Sequence, residues 1–330
     1  MTQPVQRVAS ADGGSRAASV ARFLIPKILQ CLFVVWATYT VAFLLIHALP
    51  GDPVLAALSL RGGDATSTDP AELDALRARY GFDGPLWQQY FSNLFALVRG
   101  DFGTSIATGQ PVGDMIGRAF PHTIAVALFA LVLGFLIALA FTVWAYVARP
   151  AWMRDVVAQI PPLGIAIPAF LSGLVLITVF SFGLRLFPST GANGPIALVL
   201  PTLALGVPVA ATLSQVMRDS LEKTLDEPFI VTVRARGAGE FIVRVHHALR
   251  HSLVSAITLV GWLSGTLIGG AVIVEQVFSR PGIGRMVFSA VINRDMPVVL
   301  GIVIIAAVFY VVVNTIIDLL YPVIDPRLRS

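Results

Sequence analysis

The chain has 330 residues, 56% of them hydrophobic and only 13% charged, with a mean hydropathy of +0.80. Soluble domains carry about 25% charged residues, so the composition excludes an ordinary water-soluble domain and places the chain in a bilayer. The net charge of +4 then reflects Arg-rich loops that set membrane orientation, and it calls for no nucleic-acid partner.

Residues 1–22 are polar and read as a cytoplasmic tail. The apolar run at 23–49 is longer than the h-region of a signal peptide and reads as a retained first span. It contains Cys31, the sole cysteine, which leaves no partner for an internal disulfide. Residues 50–121 are an outer segment. Within it Asp69 is placed to cap a helix that starts at Pro70, with Glu72 as its reciprocal partner. That helix should run to Tyr80 and stop at Gly81. Trp87, Tyr90 and Phe91 continue at helical spacing, so a small extracytoplasmic helical cap is expected, either docking a partner or covering the spans.

Five further apolar runs follow at 123–148, 156–182, 195–217, 253–274 and 297–320. Pro161, Pro162 and Pro168 interrupt the third span of the chain, and Pro201 and Pro208 the fourth. Such breaks suit a translocation path or simple packing kinks. Asp318 is an acid inside the last span, near Arg327 and Arg329, and reads as a structural or snorkelling group. With the N-terminus inside, the Arg-rich segments 149–154 and 218–250 and the C-terminus also fall inside, while Arg185, Arg280, Arg285 and Arg294 lie in short outer loops. The bias puts both termini in the cytoplasm. Between the last two spans, Pro281, Gly282 and Gly284 form a turn, and a short amphipathic helix should follow. The expected fold is all-α and polytopic: six transmembrane helices, cytoplasmic coupling helices and the outer cap, with residues 122–330 as the main membrane domain.

No site for chemistry is visible. There is no phosphate loop, no nucleophile elbow and no H-E-x-x-H pair. The two lysines, Lys27 and Lys223, do not follow glycine. His247 and His251 are four apart but lack a third ligand, so they read as helix-face residues rather than a metal site. No catalytic residue, metal site or bound cofactor is expected on this chain, and the energy for any transport should come from another subunit.

The segment 218–252 is the exception to the apolar pattern. Asp226 and Glu227 precede Pro228, which suits the entry to a short helix over 229–236. Gly237 and Gly239 should break it from a second helix. In that second helix Glu240, Arg244, His247 and His251 form one stripe, and Phe241, Ile242, Val245 and Leu249 the opposite, apolar one. The bracket either lies on anionic lipid or presents a helix to a groove in a soluble partner. Nucleic acid does not suit a loop held against a membrane.

The bracket resembles the cytoplasmic coupling loop of ABC-importer permeases, in which E-A-A, three residues, Gly and nine residues precede I-x-L-P. Gly237 stands at the glycine, Val231-Thr232-Val233 at E-A-A, and His247, Leu249 and Arg250 where the pattern has Ile, Leu and Pro. It is closer to the di- and oligopeptide branch, which reads like T-A-R-A-K-G and then H-A-L-R-N-A. Here Thr232-Val-Arg-Ala-Arg-Gly237 and His247-Ala-Leu-Arg-His-Ser252 occupy those places. Pro50-Gly51-Asp52-Pro53, YGFDGPLWQQY, RGDFGTSI, GGAVIVEQVFSRPGIGR, NRDMPVVLG and YPVIDPRLR follow in the order of the same branch, in its first-permease (B-subunit) type.

The resemblance implies a bacterial cytoplasmic (inner) membrane protein working by alternating access. Its implied partners are a second, homologous permease, two ATP-binding subunits carrying ATP and Mg, and an extracytoplasmic substrate-binding protein. It implies coupling to the ATPases through Phe229, Thr232, Arg234, Ala235, Arg236, Gly237, His247, Leu249 and Arg250. Asp52, Trp87, Pro281 and Gly282 are candidates for binding-protein docking or for a gate. The branch imports di- and oligopeptides, and also nickel chelates, glutathione and other small solutes. A membrane receptor or scaffold is the alternative from a different class.

Overall fold

A computed structural model describes residues 13–48, 54–55, 70–80, 82–147 and 151–324. The expectations for Asp52, Asp69 and Gly81, and for the side chains of Glu72 and Asp318, lie outside the described residues. In chain order the helices are α1 (Gly13–Ala48), α2 (Pro70–Tyr80), α3 (Leu86–Val98), α4 (Val112–Val147), α5 (Ala151–Ala166) and α6 (Ala169–Leu176), the last running on into a π-helical turn, Ile177–Gly183. Then come α7 (Val199–Leu225), α8 (Pro228–Ala235), a π-helical stretch Ile242–Ala248 that continues into α9 (Leu249–Val277), α10 (Ile283–Ile292) and α11 (Met296–Ile324). Among the described residues the β pairing is a single bridge, Thr104 to Pro111.

Among the described residues, five helical stretches are long and apolar enough to cross a membrane: Ile25–Ala48, Val112–Ala145, Pro195–Leu225, Ile242–Val277 and Met296–Ile316. A sixth is possible only as a bent pair, Gln159–Ala166 with Ala169–Gly183, turned through 93°. The bend falls at Pro168, which lacks an N–H and forces the residue before it out of the helical region. Pro168 itself is extended (φ −60°, ψ 140°) and caps α6. Its carbonyl accepts from the Leu171 and Ser172 N–H groups at 3.0 and 3.1 Å, so the break leaves that acceptor satisfied. The other prolines do not break the chain direction: Pro161 and Pro162 stay within α5, and Pro208 within α7.

The core is built around α7. Of its apolar window 61% is buried, against 17% for α1, so α7 is the central helix and α1 a peripheral one. Helices α4, α5, α6 and α9 pack on α7. The close approach of α4 is made by small residues, Ala130 and Gly134 facing Gly206 and Val209. A Cβ on Gly134 would stand 2.6 Å from Val209 Cγ1. Without a hydrophobic drive between helices in lipid, such small-residue contacts let backbones approach closely enough for dispersion to hold them. Leu200, Leu213, Met217 and Leu221 of α7 fill the cluster with Val126 of α4 and Leu263, Leu267 and Val274 of α9. A separate cluster joins Tyr39 and Phe43 of α1 to Leu300 and Ile304 of α11.

Candidate functional site: the basic bracket and the loops at the opposite end

The bracket forms from one short helix, α8, and the start of the long helix that runs on into α9, joined by a glycine turn. Glu227 is extended and caps α8, with Pro228 at the first helical position. Gly237 has φ +85°, the left-handed conformation that lets the chain reverse after α8. Its N–H donates to the Arg234 carbonyl at 2.9 Å. Across the turn, Glu240 accepts from Arg234 Nε at 2.8 Å and from Arg244 Nε at 3.2 Å. One carboxylate thus clamps the end of α8 to the start of the following helix. The hydrogen bond from Arg234, with the charges of Arg234 and Arg244, holds the Glu240 carboxyl below its ordinary range.

The register of the second helix differs from the sequence expectation. The 3.6-residue period groups Phe241 and Ile242 with Val245 and Leu249 on one apolar stripe, yet Phe241 and Ile242 are exposed while Leu249 is buried together with Val243 and Ala248. The stretch Ile242–Ala248 is π-helical. With hydrogen bonds to the fifth residue, positions five apart share a face, so Val243 and Ala248 point together into the core. The turn slips the apolar pattern relative to the α-helical period.

Of the expected coupling residues, Phe229, Thr232, Arg234, Ala235, Arg236, Gly237 and Arg250 are exposed together on the bracket, and His247 is half-buried. Leu249 instead belongs to the central core cluster. Val231, beside them, is also exposed. His251 rests against Phe229 with ring centroids 5.7 Å apart, and His246 meets His247 edge-on at 5.2 Å. The result is an apolar patch of Phe229, Val231, Phe241 and Ile242 bordered by guanidinium groups and anchored beneath by buried Ile230, Val243 and Ala248.

At the opposite end of the molecule, two buried carboxylates fix the loops. Asp295 accepts from Ser105 Oγ, from the Ile106 N–H at 3.1 Å and from the Ala107 N–H at 3.3 Å. It ties the 104–111 turn to the start of α11. Glu275, fully buried at the end of α9, accepts from the Gly284 and Arg285 N–H groups at 2.7 and 3.3 Å. Arg280, also buried, donates to the carbonyls of Ala197 and Gly191 at 2.9 and 3.3 Å. Burial pushes the Arg280 pKa down, and the nearby Glu275 charge opposes this. Thr123 Oγ1 accepts from the Ile283 N–H at 2.8 Å and so pins α10 to α4. Gly282 lies against Glu275, where a Cβ would come 2.1 Å from Oε1. Pro281 is exposed beside a shallow depression between α4 and α10, rimmed by Arg118, His122 and Arg285 and lined by no carboxylate. Trp87 is exposed on α3.

Glu275, Arg280 and Asp295 are absent from the sequence-derived candidates. The run GGAVIVEQVFSRPGIGR contains the first two five apart. Glu275 falls just past the end of an apolar run, however, and spacing alone gives no sign that both are buried.

A bundle of apolar helices with one exposed basic bracket defines a polytopic membrane protein. Residues 130–330 match the family described as "Binding-protein-dependent transport system inner membrane component", and residues 20–127 its N-terminal companion family. The chain is 33% identical over 307 residues to the glutathione transport system permease protein GsiC of Escherichia coli strain K12, covering 93% of this chain and 98% of that protein. The match to GsiC of Shigella dysenteriae serotype 1 is the same in identity and coverage. The chain belongs to the family of ABC-importer permeases. Its fold is also that of solved ABC transporters: an inward-facing form of the MetNI methionine ABC transporter aligns over 64% of this chain and 96% of that one, with TM-score 0.55 and 18% identity. A second crystal form of MetNI gives TM-score 0.53 at 19% identity. The chain is therefore a multi-pass permease subunit of an ABC importer, a class whose partners include ATP-binding subunits and a binding protein.

Proposed function

We propose that the chain is the first of two homologous permeases in a bacterial cytoplasmic-membrane importer of di- or oligopeptides, with both termini in the cytoplasm. A peptide-like solute such as glutathione, transported by the systems of the GsiC relatives, is the variant within the same reading. ATP and Mg act on two partner ATPases, and an extracytoplasmic binding protein delivers the solute. The bracket at 228–250 carries this reading. It offers an exposed apolar patch with Arg234, Arg236 and Arg250 beside it, on a base locked into the core by Ile230, Val243 and Leu249. A helix so mounted passes displacement to α9, with which it is continuous through the π-helical turn. The cation-rimmed, acid-free depression beside Pro281 suits a solute bearing a carboxylate.

The testing experiment is a detergent pull-down of the tagged chain from its native cells, with ATP hydrolysis assayed in the eluate. A phosphate-loop subunit should co-purify and be lost when Arg234 and Arg236 are both reversed to Glu, while the chain still inserts. Uptake of a radiolabelled tripeptide should fall with it. Elution of the chain alone in several mild detergents would remove the importer reading and favour a receptor or scaffold.

A further inference from the structure

Helix α3, Leu86–Val98, contains no charged residue in thirteen positions, although it belongs to a segment expected to sit in water. Its inner face is fastened to the first span. The Tyr39 hydroxyl donates to the Tyr90 carbonyl at 2.8 Å, Thr40 Oγ1 meets the Tyr90 hydroxyl at 2.7 Å, and the ring of Phe43 stands edge-on to Tyr90 at 5.3 Å. His47 bonds Gln89 at 3.4 Å. Leu94 and Leu97 complete the same face against the cluster of Phe43 and Leu300.

These contacts fix a depth. Helix α1 ends at Ala48. At 1.5 Å per residue, Phe43 and Tyr39 lie about 7 and about 13 Å below that end. Leu300 is likewise about 6 Å inside α11 from Met296. Helix α3 therefore lies beside the ends of two spans, not on top of them. Its outward face carries Trp87, Phe91, Phe95 and Val98, at 67, 49, 60 and 77% exposure. The spacing is four, four and three, one continuous stripe. Exposed Val41, Leu44 and Leu45 of α1 continue the apolar surface at the same level.

We propose that α3 is embedded in the leaflet at the Ala48 end of α1, with the Trp87–Phe91–Phe95–Val98 stripe facing lipid acyl chains. An apolar face of this size in water would be an aggregation or docking surface, but the rim of a water-borne interface is charged or polar, and the exposed polar residues of α3, Gln88 and Ser92, are few and uncharged. Interfacial helices sink about 5–10 Å into the boundary between headgroups and acyl chains; Tyr90, held by Phe43, Thr40 and Tyr39 about 7–13 Å below the end of α1, sits at that depth or somewhat deeper. Trp87 at the helix start and Arg99 just past its end are amphipathic residue types that bury an apolar body among acyl chains while their polar tips reach the headgroups. This assigns Trp87 to lipid instead of to binding-protein docking. It is independent of which solute the importer carries.

The test uses a chain in which Trp36, Trp144, Trp152 and Trp262 are changed to Phe, leaving Trp87 as the single tryptophan, purified with whatever subunits accompany it. It is reconstituted in phosphatidylcholine brominated on the acyl chains. Bromine should quench most of the Trp87 emission, iodide in the water little of it, and the emission should be blue-shifted. Strong iodide quenching would place α3 in water and overturn the proposal. Quenching by neither agent would mean that another protein covers the stripe, and would overturn it equally. Should the fourfold substitution fail to fold, a nitroxide on Phe95→Cys in a Cys31→Ala background measures the same depth: oxygen should relax it more than a water-soluble nickel chelate, and the reverse order overturns the proposal.

Discussion

Gly282 and Gly284 show how single residues set the loop between α9 and α10. A Cβ on Gly282 would meet Glu275 Oε1 at 2.1 Å, and one on Gly284 would meet Val272 Cα at 2.3 Å. Neither obstacle is the loose end of an exposed side chain: Glu275 is fully buried and holds the Gly284 N–H. Gly282→Ala should therefore cost about 1–3 kcal/mol, the range for overpacking a filled site. Gly117→Ala is the control, since nothing lies within 4 Å of its Cβ position on α4. There the gain in helix propensity, up to about 1 kcal/mol, should appear instead. Thermal unfolding midpoints in detergent should move in opposite directions for the two variants. Asp295→Ala belongs to the same scale. It removes the acceptor for the Ser105 hydroxyl and two backbone N–H groups, so amide exchange at Ile106 and Ala107 should rise well above that of Val112, whose N–H donates to the Gly103 carbonyl.

The elements that matter most for coupling are α8 and the π-helical turn. Packing of Ile230, Val243 and Ala248 holds the bracket to the core, while the Glu240 clamp sets the angle between its arms. The clamp is exposed, so its strength is modest and screened by salt. The Glu240 pKa is lowered in the folded chain. Its stabilising contribution is therefore present above the ordinary glutamate range and is lost as pH falls through the lowered value. Spin labels at Thr232 and His246 should report one narrow distance at neutral pH and low salt. The distribution should broaden in Glu240→Gln, in high salt and below the usual carboxylate range, but hold at mildly acidic pH. A distribution indifferent to all three would leave packing as the sole determinant of the angle. The two-helix bracket and its turn were legible because Glu227-Pro228 and Gly237 carry local backbone signals. The π register was not, because every residue of Ile242–Ala248 is equally compatible with an α-helix and only burial of Val243 with Ala248 selects the wider turn.

For the molecule as a whole, α7 organises the body, and α1 with α3 is a lateral attachment held through Tyr39 and Phe43 to Leu300 and Ile304. A protease site inserted between Gly100 and Asp101 should accordingly allow cleavage without separation: both fragments should co-elute in mild detergent. Phe43→Ala removes a side chain that touches α11 and Tyr90, a loss of about 3–5 kcal/mol in soluble cores, and should release the N-terminal fragment after cleavage. If the fragments separate without that change, the α1–α11 contact is not what joins them.

Hydropathy and proline and glycine placement determined that this chain is a bundle of membrane helices and that one basic bracket, turned at Gly237, interrupts the apolar pattern. These are properties of contiguous residues, and a bilayer enforces helices wherever an apolar run is long enough. Which proline breaks a span, Pro168 and not Pro161, Pro162 or Pro208, was visible only in the packed structure. The pairing of Asp295 with Ser105, 190 positions away, and the meeting of α3 with α1 some 50 positions away, were decided only by the packed structure. So was the burial of Glu275 and Arg280. Such contacts join residues whose local sequence carries no sign of the partner, and they exist because packing α4, α9, α10 and α11 together leaves no water to satisfy those groups.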